Sequence, residues 1–157
     1  MTTVHVGINH YEKVQKNRFL EDSLLTTGWL DPCFGLALYD IEKNVAIVAH
    51  LMGLGALPTL EKCLEKVRGE SLDPTTLRAF LCGGHTWLSD PEEIKQDAKA
   101  RRQSLYDALV EAGVKPRRIS VMDAKEGCIS RLSYDMEEQE VRYESAQRGR
   151  TLRRPRR

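Results

Sequence analysis

The stretch "TTGWLDPCFGLALYD", residues 26 to 40, begins as a turn and ends as an apolar run, with Cys33 at the joint. A cysteine there is either a small buried hydrophobe or a thiol whose deprotonated form attacks a carbonyl carbon. Nucleophilic use requires a base within reach, and the next apolar segment, "NVAIVAHLM", carries His50. If the two segments form an antiparallel hairpin, a two- or four-residue connection centred on Ile41-Glu42 sets Cys33 opposite His50. Directly opposed side chains have Cβ atoms about 4.5 to 5.5 Å apart, close enough for a thiol and an imidazole to share a proton. A three-residue connection over Glu42-Lys43-Asn44 would instead leave Cys33 opposite Gly53. The first register puts Gly35, Ala37, Ala46 and Val48 on the Cys33 face, with Phe34, Leu36, Leu38, Val45, Ile47 and Ala49 on the other. Spacing alone leaves both roles for Cys33 open.

Other constellations carry less. Cys82 and His85 stand at a CxxH spacing and could be joined by Cys33 or His50, but no second tight pair completes a metal site, and no metal or cofactor is expected. The pair Gly83-Gly84 lacks the spacing and the GKS or GKT of a phosphate-binding loop. Ser23, Ser71 and Ser89 show no nucleophile-elbow pattern, and Cys63 and Cys128 read as packed or incidental thiols.

The elements that would position Cys33 and His50 follow from periodicity. "VHVGI" predicts a short strand, "NHYEKVQKNRF" a polar linker, and Gly28 with Asp31-Pro32 a turn before the hairpin. Leu60, Cys63, Leu64 and Val67 recur at spacings of three and four, predicting a helix over about 58 to 68. "LRAFLCGG" is a strand ending at a glycine pair. A longer helix follows, capped by Asp90, with Pro91 in its first turn and Gly113 at its end; its expected apolar stripe is Ile94, Ala98, Leu105, Ala108 and Leu109. "RRISVMD" is a further strand, and "CISRLSYD" with "EVRYES" a hairpin across "MEEQ". The order predicts an α+β fold: a mixed, mainly antiparallel sheet or sandwich flanked by two main helices.

A chain of 157 residues suits one domain with a real core, and 41% hydrophobic with 30% charged residues is ordinary globular composition. The net charge of +1 hides an asymmetry, because the last ten residues, "RGRTLRRPRR", hold six arginines and no acid. The expected organisation is a single domain over 1–147 followed by a disordered arginine-rich tail over 148–157. Such a tail could touch nucleic acid or an acidic partner, or act only as a solvated end. No run of about 18 apolar residues occurs, and the N-terminal stretch lacks signal-peptide order, so membrane insertion is not expected and the cytoplasm is the default location. The four cysteines lie at wide spacings, which reads as reduced thiols.

Taken in order, "HVGINHYEKVQKNRFLEDSLLTTGWLDPCFGLALYD", "AHLM", "FLCGG" and "RRISVMDAKEGCISRLSYDMEEQEVRY" resemble the CheD family of chemoreceptor glutamine deamidases over about residues 4 to 144. Thr27, Cys33 and His50 fall where that family places its threonine, nucleophilic cysteine and histidine. The resemblance implies hydrolysis of glutamine side-chain amides on a protein, through a Cys33 thioester, with His50 moving protons and Thr27 orienting the imidazole. It also implies chemoreceptor helices as substrate and a chemotaxis phosphatase as partner. The chain departs from the family at Asp31-Pro32, where glycine-serine is usual, and at His85, where a small residue is usual; it therefore resembles a divergent member. The same features are compatible with a non-catalytic module that keeps the fold and binds a signalling partner.

Overall fold

The computed structural model describes residues 2–15 and 23–147; the arginine tail lies outside them. Nine strands and two α-helices are present among the described residues. The strands are β1 (Thr2–His5), β2 (His10–Gln15), β3 (Ser23–Leu30), β4 (Phe34–Asp40), β5 (Val45–Leu51), β6 (Arg78–Gly83), β7 (Ile119–Val121), β8 (Cys128–Asp135) and β9 (Glu140–Gln147). The helices are α1 (Ala56–Gly69), between β5 and β6, and α2 (Glu92–Glu111), between β6 and β7. Strands order β1-β3-β8-β9 in one sheet and β2-β5-β4-β6-β7 in the other, and all neighbours are antiparallel except β1 with β3 and β6 with β7. This is the expected α+β class with a mixed, mainly antiparallel strand set and two main helices.

The alternation along β4 and β5 builds two cores, one on each side of the five-stranded sheet. Phe34, Leu36, Leu38, Ile47, Ala49 and Leu51 point to one side and pack on Leu60, Cys63, Leu64 and Val67 of α1 and Leu105 and Leu109 of α2. Cys33, Ala37, Ala46 and Val48 point to the other and pack on Leu25, Leu30, Leu132 and Tyr134 of the four-stranded sheet. Smaller residues on this second face let the two sheets approach. The result is three layers, helices on sheet on sheet.

Several expectations need correction. The β4–β5 turn occupies 41–44, with Asn44 in the left-handed region at φ 55° and Asp40 Oδ1 accepting from the Lys43 N–H at 3.2 Å. That centres the hairpin one residue later than expected, so Gly35, not Cys33, faces His50. The segment read as polar linker contains β2, whose charged, half-exposed residues are those of an edge strand, and the threonine-rich stretch before Gly28 is β3. Asp90 does not cap α2: its Oδ2 accepts from the Trp87 N–H at 2.7 Å, and Pro91 occupies the N-cap. Ile94 is exposed rather than part of the buried stripe.

Candidate functional site

The chain leaves the four-stranded sheet at Leu30, whose Cα partner is Ser130, and enters the five-stranded sheet at Phe34, whose partner on β6 is Gly83. Asp31, Pro32 and Cys33 make the crossing. Cys33 is buried at 7% exposure, at the edge of the inter-sheet core. His50 is equally buried and lies opposite Gly35 on β4 and opposite His10 on β2. Cys33 stands one residue before β4 and packs into the inter-sheet core, the side of the sheet to which His50 also alternates. The corrected register therefore keeps both groups on one side of the sheet but does not set them directly opposite each other.

His50 is held by main chain. Its Nδ1 lies 3.2 Å from the Val6 carbonyl oxygen. A carbonyl only accepts, so the tautomer that makes this bond carries its proton on Nδ1 and leaves the lone pair on Nε2. Nε2 is buried and has no hydrogen-bond partner among the described residues. Burial lowers the imidazole pKa below its ordinary value, while the Val6 and Thr27 main chains pull the other way. The neutral, basic form of the ring is favoured near pH 7.

Thr27 enters from the four-stranded sheet, at a β-bulge where pairing with β8 slips between Thr26 and Trp29. Its hydroxyl is spent on that bulge: Oγ1 accepts from the Leu132 N–H at 3.2 Å and lies 2.8 Å from the Gly28 carbonyl oxygen. The Thr27 main chain, not its hydroxyl, acts on the His50 ring, raising its pKa against the effect of burial. Gly28, at φ 71°, supplies the left-handed residue the bulge needs.

Cys33 is a thiol at rest. Burial, and after it the Asp31 carboxylate, raise its pKa. Cys63 and Cys82 are buried more deeply, and burial pushes both to about 12. Cys128 is partly exposed, and all four cysteines are free.

The CxxH pair is engaged elsewhere. His85 Nδ1 lies 3.0 Å from the Lys125 carbonyl oxygen and Nε2 lies 3.0 Å from Ser130 Oγ, so both ring nitrogens are occupied. No group of three or more potential ligands among the described residues could hold a metal ion. The sequence reading missed Val6, whose contribution is a carbonyl that any residue would supply, and Ser130, whose importance depends on contact with His85 across 45 residues.

The chain thus crosses between two stacked sheets at Asp31–Cys33, and this α+β scaffold places the Cys33 thiol and the His50 imidazole on one side of the five-stranded sheet. No family model and no curated protein matches the chain. Among solved structures, it is similar to the hypothetical protein YfiH of Bacillus licheniformis at 17% identity and a TM-score of 0.49, covering 65% of this chain and 46% of that one. It is similar to YlmD from Geobacillus stearothermophilus at 11% identity, with the same TM-score and coverage. The chain spans less than half the length of either, and neither likeness bears on the site.

Proposed function

We propose that the chain is a cysteine-dependent protein-glutamine deamidase, converting glutamine side chains to glutamate with release of ammonia. The observation that carries this reading is His50: its Nδ1 proton is fixed on Val6, and the buried Nε2 is left unpaired on the face that Cys33 shares. The ordered motifs resembling CheD proteins supply the reaction class, with chemoreceptor-like helices as substrate and a chemotaxis phosphatase as partner.

In this reaction the Cys33 proton passes to His50 Nε2 as the sulfur attacks the carboxamide carbon, forming a C–S bond and an oxyanion. Collapse of the tetrahedral centre breaks the C–N bond, and the imidazolium returns the proton to the departing nitrogen, releasing ammonia. Water, deprotonated by the same Nε2, then attacks the thioester, leaving a carboxylate on the substrate and the thiol on Cys33. A thiol with a raised pKa needs such a base at the moment of attack. The Thr27 main chain favours the imidazolium formed in each half-reaction.

The test is ammonia release, with glutamine-to-glutamate conversion read by mass spectrometry, from a helical protein rich in exposed glutamines. Wild type should convert it, and Cys33→Ser should abolish conversion while keeping the wild-type circular dichroism spectrum. The raised thiol pKa beside Asp31 favours a second reading, a non-catalytic binding module. Tight binding of the helical protein without any ammonia release would establish that reading instead.

A further inference from the structure

We propose that His85 is a positioning residue for Cys33, a side-chain staple that fixes the sheet-to-sheet crossing on which the sulfur is carried. The inference rests on Cys33 being the nucleophile. The residues that follow β6 run alongside the crossing: the Gly84 N–H donates to the Cys33 carbonyl at 2.8 Å and the His85 N–H to the Asp31 carbonyl at 2.7 Å. These two bonds hold both ends of the Asp31-Pro32-Cys33 turn. Pro32 has no N–H of its own to contribute.

The approach depends on glycine. A Cβ on Gly83 would lie 2.3 Å from the Cys33 carbonyl oxygen, and one on Gly84 would lie 2.2 Å from the Phe34 ring. Main chain ties this segment once to the loop before β8, the Gly127 N–H donating to the Thr86 carbonyl at 2.9 Å. The His85 ring adds two side-chain ties, one to the same loop and one to β8: neutral, it donates from Nδ1 to the Lys125 carbonyl and accepts on Nε2 from the Ser130 hydroxyl. Ser130 is the β8 partner of Leu30, the last residue before the crossing. His85 therefore joins the β6 end, the loop before β8 and β8 itself, around the residues that carry Cys33. At 3% exposure it is held within the protein, where its hydrogen bonds are little weakened by water. It touches no reacting atom, so its effect on chemistry is exerted through the turn.

The experiment uses the full chain carrying Cys128→Ser, which removes the partly exposed thiol outside the site. His85→Phe keeps ring volume and removes both ring hydrogen bonds; His85→Gln retains an acceptor for Ser130. In His85→Phe, kcat on the glutamine-bearing helical protein should fall about 10- to 100-fold with KM changed by no more than about twofold. Iodoacetamide should label Cys33 several-fold faster, by peptide mass spectrometry, while Cys63 in the helix-side core stays unlabelled. His85→Gln should recover part of both effects. If His85→Phe loses the fold, seen as simultaneous labelling of Cys63, Ser130→Ala carries the test, because it removes one partner and leaves the imidazole; it should shift Cys33 labelling in the same direction. Wild-type labelling of Cys33 and wild-type kcat in either folded variant would overturn the proposal. Labelling is read without substrate, so it decides the positioning role even where wild type releases no ammonia, an outcome that removes the deamidase reading alone.

Discussion

Burial and two neighbours act on Cys33 with opposed effects. Burial and Asp31 keep the sulfur protonated, and His50 supplies a neutral base on the same face. Asp31→Asn removes the repulsion between a carboxylate and a developing thiolate. The Cys33 pKa should fall and its alkylation at pH 8 should quicken about three- to tenfold; an unchanged rate in stopped-time labelling would show that the carboxylate does not act on the sulfur. The acid limb of kcat/KM reports the base in the free enzyme. Because burial holds His50 below the ordinary histidine value, activity should stay level through pH 7 and decline only below about pH 6.5. An acid midpoint above 7 would assign the limb to another group.

At the level of elements, the site depends on local irregularities in otherwise regular strands. The glycine pair at 83 and 84 allows β6 to close on the Cys33 turn, with φ of 89° and 74°. Gly84→Ala combines a clash with the Phe34 ring and a strained left-handed backbone, and should cost about 2 to 4 kcal/mol, read as a lower urea midpoint at unchanged m-value. The β3 bulge is the second irregularity. Thr27→Val keeps shape but removes the hydroxyl that bonds to Leu132, and should cost about 1 to 2 kcal/mol. Its Cys33 labelling should remain near wild type, because the Thr27 main chain, not the hydroxyl, acts on His50. The sequence displayed α1, the β4–β5 hairpin and the β8–β9 hairpin through their periodicity. It hid β2 and β3, because an edge strand and a bulged strand interrupt the alternation that periodicity detects.

For the whole molecule, one sheet separates two cores, and Cys33 lies in only one of them. Leu60→Ala empties space in the helix-side core, while Leu132→Ala empties space in the inter-sheet core that contains Cys33. Each should lower stability by about 2 to 5 kcal/mol, but only Leu132→Ala should also change kcat in the protein that remains folded. Stability should follow pH in a definite sense. His50 and His85 both have folded pKa values lowered by burial, so the unfolded chain binds protons first as pH falls. Their contribution is full above about pH 6.5 and is lost as pH drops through the lowered values. Thermal scans from pH 8 to pH 5 should show Tm falling on the acid side. His85→Gln should flatten that fall; an equally steep fall in the variant would remove His85 from the account. Among the described residues no helix is long and apolar enough to cross a membrane.

By itself the sequence determined which residues could react and which face of the hairpin they share, because side-chain direction along a strand alternates with a period of two and survives a register error of two residues in the pairing. It could not place the hairpin centre, since that depended on Asn44 adopting a left-handed conformation and on Asp40 bonding to Lys43. It also could not show that His85 belongs to the frame around Cys33 rather than to a metal site. That was decided by the stacking of two sheets, which brings Ser130 and Lys125 to the imidazole from 40 or more residues away and satisfies both ring nitrogens. Local pattern is written in the order of residues, whereas partners of this kind exist only once distant strands are packed face to face.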